Sequence, residues 1–271
     1  MQTSWRNNWL QSGVSGHWDR VLTLQPNCVH AGNAGPFTLD GTRTYIVGRD
    51  RVAIIDPGPD VESHVRALTL AVELTYDRKI ILTHGHADHA GSARSLSVAI
   101  GAEVWGPNGI EEVDHIVVDG DVIETDEGNL IVVHTPGHTE EHLCFYWEAQ
   151  RALFAGDHLL GKGNTTWVAD YSGCVSDYLN SIDQLHALNL AIIYPAHGPP
   201  LENPPEALAR FESHRRARIR QVEEALEEHP SLSTEKLLAF VYGDTLPPGM
   251  ERAAAQSLEA LRDHVRTLGE S

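Results

Sequence analysis

The segment THGHADHAG, residues 83–91, constrains this chain more than any other part of it. It places three histidines and an aspartate within six residues, directly after the apolar run KIIL. Ligands in a loop at the end of a strand can turn towards a common point while the strand holds the loop still. Imidazole nitrogens and a carboxylate suit Zn²⁺, with bonds of about 2.0–2.2 Å. Four adjacent ligands are too many for one tetrahedral ion, so the segment predicts two ions.

Three further segments place a histidine or an aspartate where a predicted apolar strand is followed by a turn of small residues. They are VVHTPGH, ALFAGDH and IIYPAHG. A lone histidine at such a place is better interpreted as a surface or core residue, but a recurrent set of ligand types favours a metal centre. The predicted cofactors are two Zn²⁺ per chain, with Mn²⁺ or Fe²⁺ as alternatives. We assign one ion to His84, His86 and His138, the second to Asp88, His89 and His197, and a bridging position to Asp157.

Up to about residue 203, short β-rich runs alternate with helical patterns, which predicts an α/β fold. Two segments, DVESHVRALTLAVEL and SDYLNSIDQLHALN, carry apolar residues at helical spacing. The order of strands and helices in the first half recurs in the second, which suits two β-sheets sandwiched between helices. The predicted strands are TYIVG, RVAIIDPG, KIILTH, AEVWG, LIVVHTPG, HLCFYW, ALFAGD and AIIYPAHG.

The character of the sequence changes near residue 203, where prolines precede densely charged helical patterns. We predict a catalytic domain over residues 1–203 and a helical appendage over residues 204–271, which is too short to build a core alone. The segment SHRRARIR is the one basic cluster, and on a helix its residues spread over more than one face. A solvated surface with salt bridges to nearby glutamates is the favoured interpretation. The cluster consists of His214, Arg215, Arg216, Arg218 and Arg220.

The net charge of −18 is unusual for an otherwise ordinary globular composition. It disfavours a sequence-independent grip on RNA or on an anionic membrane. We find no apolar run long enough to span a bilayer, and the opening MQTSWRNNWL lacks the pattern of a secretory signal. Cys28, Cys144 and Cys174 form no CxxC pair, which is typical of reduced thiols. A cytoplasmic location is therefore expected.

Together these segments resemble the metallo-β-lactamase superfamily. THGHADH, PGHT, GD and PAHG have the order and approximate spacing of its metal motifs, and TLDGTRTYIVG and AIIDPGPD resemble its opening strands. The resemblance implies an αββα sandwich with the site at one edge of the sheets. It also implies that Asp56 supports the metal-binding loop. Antibiotic-destroying members often have a cysteine where this chain has Asp157, which argues against a dedicated β-lactamase.

A narrower resemblance is to the branch that includes the mitochondrial β-lactamase-like endoribonuclease and fungal thioesterases that release polyketides from acyl carrier proteins. It rests on FAGDHLLGKGNTTWVADYSGCVSDYLNSIDQL and YPAHGPPLENPPEALARFESHRRARIRQVEEAL. Members of this branch carry a C-terminal winged-helix-like appendage, which matches the helices inferred here. The chain ends at RTLGES, directly after the last helical pattern, and leaves little room for a β-wing.

Two cations that share a water lower its pKa, so that a metal-bound hydroxide is present near neutral pH. The hydroxide would attack an electrophilic carbonyl or phosphorus. Asp88 can bind metal and also orient the water or accept its proton, so it is the predicted catalytic residue. A further set of residues is expected to contact a metal ligand or the substrate, although a surface or core role is about as common for such residues. It consists of His142, Lys162, Thr165, Thr166 and Trp167.

The favoured function is hydrolysis of a small acyl ester, thioester or lactone, because the surface is acidic and no nucleic-acid-binding groove is indicated. A single-strand endoribonuclease is the alternative, supported by the branch resemblance and the arginine cluster and opposed by the charge. An iron-dependent oxidoreductase of the same fold ranks below both, since the ligand set is complete for two ions. The expected partner is a small-molecule substrate, with no membrane, and the oligomeric state stays open.

Overall fold

The computed structural model describes residues 24–243, 246 and 248–269. Over these residues the chain forms a six-stranded and a five-stranded sheet. None of the described helices is long and apolar enough to cross a membrane. The strands are β1 (Asn27–His30), β2 (Arg43–Val47), β3 (Arg51–Ile55), β4 (Asp77–Ile81), β5 (Glu103–Gly106), β6 (His115–Ile116), β7 (Val122–Ile123), β8 (Leu130–His134), β9 (Leu143–Trp147), β10 (Ala152–Phe154) and β11 (Ile192–Tyr194). The strand order is β1-β2-β3-β4-β5-β6 in the first sheet and β11-β10-β9-β8-β7 in the second.

The described helices follow the strands in separate groups. Three lie between β3 and β5, one lies between β10 and β11, and three come after β11. The helices are α1 (Glu62–Ala71), α2 (Ala87–Ala90), α3 (Ala93–Ile100), α4 (Cys174–His186), α5 (Pro204–Glu228), α6 (Thr234–Tyr242) and α7 (Glu251–Gly269).

The two sheets pack face to face because their strands alternate between two apolar faces. In β3, Ala53 and Ile55 face the second sheet, where they join a core with Phe145 and Phe154. Ile54 lies on the opposite face and packs with the apolar side chains of α1 and α3. The second sheet uses its other face in the same way against α4 and the C-terminal helices. The layers are therefore helix, sheet, sheet and helix, which confirms the predicted αββα architecture.

Strand register brings the ends of separate strands to one edge of the sandwich. β10 and β11 are parallel and pair Phe154 with Tyr194. Asp157 and His197 each follow these paired residues by three positions, so both emerge at the same edge. β3 and β4 are also parallel and pair Ile55 with Ile81, which places the residues that follow them side by side. This common edge carries the candidate site.

Every strand predicted from the sequence is a strand in the structure. The two helical segments predicted before residue 203 correspond to α1 and α4, and the helical patterns predicted after it correspond to α5, α6 and α7. The sequence reasoning did not predict β1, β6, β7, α2 or α3. β6 and β7 are two-residue strands with mostly exposed residues, so they carry no alternation that a sequence pattern could reveal. The opening MQTSWRNNWL, where no secretory signal is expected, lies outside the described residues.

The C-terminal helices pack on α4 and share one apolar core with it. Phe211 of α5, Leu237 of α6 and Leu258 of α7 belong to the same buried cluster as Val175 of α4. α5 begins at Pro204, next to the predicted boundary at residues 203 and 204. The division into two domains and the winged-helix likeness both stay predictions.

The interpretation of SHRRARIR as a solvated surface is wrong for one of its residues. Arg215 is only 3% exposed, because it lies on the buried stripe of α5 between Phe211 and Val222. Arg216 does fit the interpretation, since it is exposed and its Nε lies 2.7 Å from a carboxylate oxygen of Glu212. The apolar spacing of α5 is the signal that could have placed Arg215 inside.

Candidate metal centre

Among the described residues, two groups of potential ligands meet at the edge of the sandwich. Within each group the ligand atoms lie within 4.8 Å of one another. Five of these seven residues are buried, and the other two, His86 and Asp88, are partly buried, with the Asp88 side chain 31% exposed. The first group contains His84, His86 and His138, and the second contains Asp88, His89, Asp157 and His197.

The first group has the spacing of a tetrahedral metal site. Nδ1 of His86 lies 3.0 Å from Nε2 of His84 and 3.1 Å from Nε2 of His138. A tetrahedral ion with bonds of about 2.1 Å holds its ligand atoms about 3.4 Å apart. The observed separations are close to this value, so small shifts would complete the geometry.

The second group has similar distances and is joined to the first through Asp157. Oδ1 of Asp157 lies 3.2 Å from Nε2 of His197 and 3.5 Å from Nε2 of His89. Oδ2 of the same carboxylate lies 3.6 Å from Nε2 of His138 in the first group. Nε2 of His197 is also 3.2 Å from Oδ2 of Asp88. One carboxylate therefore directs one oxygen to each group.

Four of the five histidines use Nδ1 to hold the ring and direct Nε2 to the centre. Nδ1 of His138 lies 2.8 Å from the carbonyl oxygen of Trp167, which can only accept a hydrogen bond. Nδ1 of His89 donates to the Asp56 carboxylate in the same way at 2.8 Å. In the neutral imidazole, these hydrogen bonds place the single proton on Nδ1 and leave the lone pair on Nε2. Nδ1 of His197 faces a backbone carbonyl as well, at 3.4 Å from the oxygen of Gly41.

Asp56 organises two ligands at once, although it belongs to neither group. Its Oδ1 accepts the backbone N–H of Thr83 and its Oδ2 accepts the Thr83 hydroxyl, both at 2.8 Å. Because that hydroxyl donates to Asp56, it accepts from Nδ1 of His84 at 2.9 Å. Asp56 itself has a φ of 50°, a left-handed conformation that aspartate adopts more readily than most residues. The turn after β3 thus orients both His84 and His89.

Buried atoms without a partner test whether these residues fit a metal ion. Nε2 of His89, Nε2 of His197 and Oδ1 of Asp157 are fully buried and accept no hydrogen bond. Leaving such acceptors unpaired costs about 1–3 kcal/mol each. A divalent cation satisfies all of them together, and the nitrogen and oxygen donors suit such an ion. The side chains of the two ligand groups therefore fit divalent metal ions.

Comparisons with known proteins identify the family of this chain. The family model of the metallo-beta-lactamase superfamily matches residues 38–113 and 109–197. The chain belongs to this superfamily. It is 34% identical over 248 residues to the lactamase-like protein aptB of Emericella nidulans, with 85% of this chain and 77% of the relative covered. It is 32% identical over 252 residues to an atrochrysone carboxyl ACP thioesterase of Aspergillus chevalieri, with 87% of this chain and 79% of the relative covered.

Solved structures of the superfamily show the same fold. A metallo-beta-lactamase family protein from Thermus thermophilus superposes with a TM-score of 0.73 at 22% identity, over 90% of this chain and 93% of that one. As a member of the superfamily with related thioesterases, this chain is a metal-dependent hydrolase. Its histidine and aspartate cluster implies divalent metal ions.

Burial and neighbouring charges shift the pKa values of several residues in this site. Burial lowers the pKa of His197, but the carboxylates of Asp157 and Asp88 outweigh burial and raise that pKa to about 9. Burial raises the pKa of Asp157, but the neighbouring His89 and His197 hold it well below its usual value. Burial lowers the pKa of His84 well below its usual value, and the nearby His89 adds to the effect. The carboxylates are thus ionised and concentrated on the second group.

His142 lies beside the ligand candidates, with its ring centroid 5.2 Å from that of His84, but belongs to neither group. Its Nε2 accepts the backbone N–H of Asp157 at 3.3 Å, and its Nδ1 lies 3.0 Å from the Thr135 hydroxyl. Thr135 in turn donates to the sulfur of Cys144 at 3.2 Å. His142 therefore holds the backbone of the Asp157 loop. Burial raises the pKa of the Cys144 thiol to about 12, as expected for an unreactive cysteine.

The other predicted contact residues separate into three kinds. The Thr166 hydroxyl is buried and donates to the backbone carbonyl of Asp157 at 2.7 Å, so it supports the ligand loop. Trp167 is half-buried, with its ring centroid 6.2 Å from that of His86 and 6.0 Å from that of His138. Lys162 and Thr165 are exposed and belong to neither ligand group.

The sequence reasoning missed several residues that shape the site. Thr83 precedes the first ligand directly, and Thr135 precedes the PGH turn, but a threonine carries no metal-ligand signature. Gly156 precedes Asp157 with a φ of 48°, and a Cβ there would lie 2.7 Å from Nε2 of His142. Its place in the AGD turn is the signal that could have identified it.

Proposed function

We propose that this chain is a dinuclear zinc hydrolase that cleaves acyl thioesters. The observation that carries the proposal is the Asp157 carboxylate, which directs Oδ1 to His197 at 3.2 Å and Oδ2 to His138 at 3.6 Å. A single carboxylate shared by two ligand groups suits two ions a few ångströms apart. The thioester substrate is supported by the related ACP thioesterase.

The two groups support the ligand division proposed from the sequence. His84, His86 and His138 would hold one ion, while Asp88, His89 and His197 would hold the other, with Asp157 between them. When bound, the ions supply Lewis acidity for an acyl carbonyl and lower the pKa of a water molecule. The protein contributes fixed ligand orientations through Asp56, Thr83 and the carbonyl of Trp167.

Asp88 is the residue best placed to handle a proton. Its side chain is 31% exposed, so it reaches the open side of the site, and only one of its oxygens is directed to His197. Burial raises its pKa, but the adjacent His197 and the charge of His89 outweigh burial and keep the pKa below its usual value. Asp88 is therefore ionised near neutral pH. Its second oxygen, Oδ1, can accept a proton from the attacking water.

Apolar side chains lie next to residues of both ligand groups. The Trp167 ring lies beside His86 and His138. The side chain of Leu39 lies against the backbone of Gly198, which directly follows His197. Apolar neighbours of a polar site favour an acyl chain over a phosphodiester.

The arginine cluster offers little support for RNA binding. Arg215 is buried, Arg216 is paired with Glu212, and the guanidinium of Arg218 stacks on Tyr242 at 4.5 Å. Three of its four arginines are therefore engaged within the protein, while the chain as a whole carries a net charge of −18. The phosphates of RNA would be repelled by this negative charge, whereas the thioester bond itself is uncharged.

The test measures metal content and turnover on the same preparation. Protein is stripped with chelator, reconstituted with zinc, analysed by elemental mass spectrometry, and assayed against acyl-thioesters of short and long chain and against single-stranded RNA. Asp88→Ala removes the proposed proton acceptor. Asp183→Ala is the matched control, because Asp183 is an exposed aspartate on α4. We expect about two zinc ions per chain and zinc-dependent thioester turnover, which Asp88→Ala loses and Asp183→Ala keeps.

Other outcomes would contradict the proposal in distinct ways. RNA cleavage with intact thioesters would make the endoribonuclease alternative correct. About one iron per chain, with oxidation of a persulfide, would favour the oxidoreductase. Turnover that persists in the fully stripped protein would exclude metal-dependent hydrolysis altogether.

A further inference from the structure

Arg215 is a buried cation in the core between the C-terminal helices and the main sandwich. It is 3% exposed, and no carboxylate of the described residues forms a salt bridge with it. Burying an unpaired charge costs several kcal/mol, so an apolar residue at this place on α5 would usually stabilise the fold more. The contacts of the guanidinium therefore need a reason beyond packing.

The guanidinium makes two directed contacts, and both are to segments next to metal-ligand candidates. Nη2 donates to the carbonyl oxygen of Thr166 at 2.9 Å. The guanidinium also lies over the ring of Tyr178, 5.0 Å from its centroid, where a cation is attracted by the π face. Arg215 thus bridges the loop at Thr166 and helix α4.

The Thr166 loop holds two of the proposed ligands. The Thr166 hydroxyl donates to the backbone carbonyl of Asp157 at 2.7 Å. The next residue, Trp167, accepts the Nδ1–H of His138 with its carbonyl at 2.8 Å. A displacement of this short segment would move the bridging aspartate and would release the ring of His138 together.

Tyr178 provides the second connection to the same ligands. Its hydroxyl donates to the carbonyl of His158, directly after Asp157, at 3.3 Å. Its backbone lies so close to Gly137 that a Cβ on this glycine would be 2.6 Å from Cα of Tyr178. Gly137 directly precedes His138. Both contacts of Arg215 therefore lead to the same two ligands, Asp157 and His138.

We propose that Arg215 is a positioning residue of the metal centre, which makes helix α5 part of the scaffold of the site. The proposal rests on the metal-dependent hydrolysis proposed above. Arg215 donates an N–H of its planar guanidinium to the Thr166 carbonyl while the same guanidinium lies over the ring of Tyr178. A lysine has a point charge on a flexible stem and cannot make both contacts in this way.

The test compares Arg215→Met and Arg215→Lys with Arg216→Met. Methionine fills apolar space, so Arg215→Met keeps the core packed while it removes both contacts. Arg216 is the matched control, since it is the next residue on α5 and 46% exposed. Full-length proteins are stripped and titrated with Co²⁺ in competition with a chelator. The cobalt absorption spectrum reports ligand geometry, and urea unfolding of the stripped proteins reports the fold.

We expect Arg215→Met to bind Co²⁺ about tenfold more weakly, with an altered spectrum, while the stripped protein is at least as stable as the unaltered one. Arg215→Lys should resemble Arg215→Met, and Arg216→Met should match the unaltered chain. Cobalt affinity and spectrum that stay unchanged in Arg215→Met would overturn the proposal, as would a loss confined to the stability of the stripped protein. If the unaltered chain binds Co²⁺ but cleaves no thioester, the proposed substrate is wrong and the comparison of Arg215 variants still decides its role.

Discussion

The carboxylate of Asp56 accepts the Nδ1–H of His89 across 2.8 Å, and both side chains are almost completely buried. The same Oδ2 accepts the hydroxyl of Thr83, which orients His84. One residue that is no ligand candidate therefore fixes the ring of one histidine in each ligand group. Such partners keep the metal-facing nitrogen free of its proton and correctly directed.

Asp56→Asn should weaken metal binding without disrupting the fold. Asparagine adopts the left-handed backbone found here, with its φ of 50°, nearly as readily as aspartate. The amide nitrogen, however, cannot accept the protons of Thr83 or His89. We expect the affinity for zinc to fall about 10- to 100-fold, measured by competition with a fluorescent chelator.

Asp50→Asn is the control for this variant, because Asp50 is exposed in the turn between β2 and β3. Its affinity for zinc should equal that of the unaltered chain. Equal affinity in Asp56→Asn as well would show that the Asp56 hydrogen bonds are dispensable for the metal centre.

Gly156→Ala should destabilise the protein through a direct clash at the site. The new Cβ would lie 2.7 Å from Nε2 of His142 and 2.8 Å from the hydroxyl of Thr83, both of which are held by other bonds. Gly101→Ala is the matched control, since Gly101 also has a positive φ, 64°, but has open space around its Cβ position. Both variants bear a backbone strain of about 1 kcal/mol.

The difference between these two glycine variants measures the clash alone. We expect Gly156→Ala to lose about 1–3 kcal/mol more than Gly101→Ala in the free energy of unfolding by urea. Losses of equal size would mean that the Asp157 turn can shift without cost.

Removal of the metal should lower the free energy of unfolding, and the dependence of that free energy on zinc concentration should report how many ions bind. With free zinc well above the dissociation constants, each tenfold rise in its concentration adds about 1.4 kcal/mol to the free energy of unfolding for one ion and about 2.8 kcal/mol for two. The measurement is urea unfolding in zinc-buffered solutions. Asp88→Ala removes a ligand candidate from the second group only, so its slope should approach that of one ion. A one-ion slope in the unaltered chain would contradict the dinuclear proposal.

Acidification should destabilise the C-terminal helices through His214 on α5. Burial lowers the pKa of His214 to about 4, and the charges of Arg218 and Arg215 add to the effect. Below pH 6.5 the unfolded chain gains a proton at this histidine that the folded chain does not accept until about pH 4. Its contribution to stability is therefore complete above pH 6.5 and is lost as the pH falls from 6.5 to 4.

His214→Gln removes this titration and should make the urea midpoint of the stripped protein less dependent on pH over that window. His229→Gln is the control, because this histidine is exposed just after α5 ends. Identical pH profiles for the unaltered chain and His214→Gln would show that this histidine has the same pKa in both states.

Much of the fold could be predicted from local patterns alone. Short apolar runs such as RVAII and KIIL predict buried strands, because residues that are neighbours in the sequence point to opposite faces of a sheet. Helix α3 escaped prediction because only eight residues carry its spacing. The seven ligand candidates were also recognisable, since each is a metal-binding residue type at the end of an apolar run.

Tertiary structure decided how these residues act together. The pairing of Phe154 with Tyr194 places Asp157 beside His197. Hydrogen bonds from remote segments to Nδ1 of His89 and His138 orient these rings so that Nε2 faces the centre. The charged pattern around Arg215 indicates a surface position, yet its guanidinium donates to the carbonyl of Thr166, 49 positions away in the sequence. The physical reason is that ligand type and periodicity belong to the local chain, whereas burial, hydrogen-bond partners and pKa depend on the segments that folding brings together.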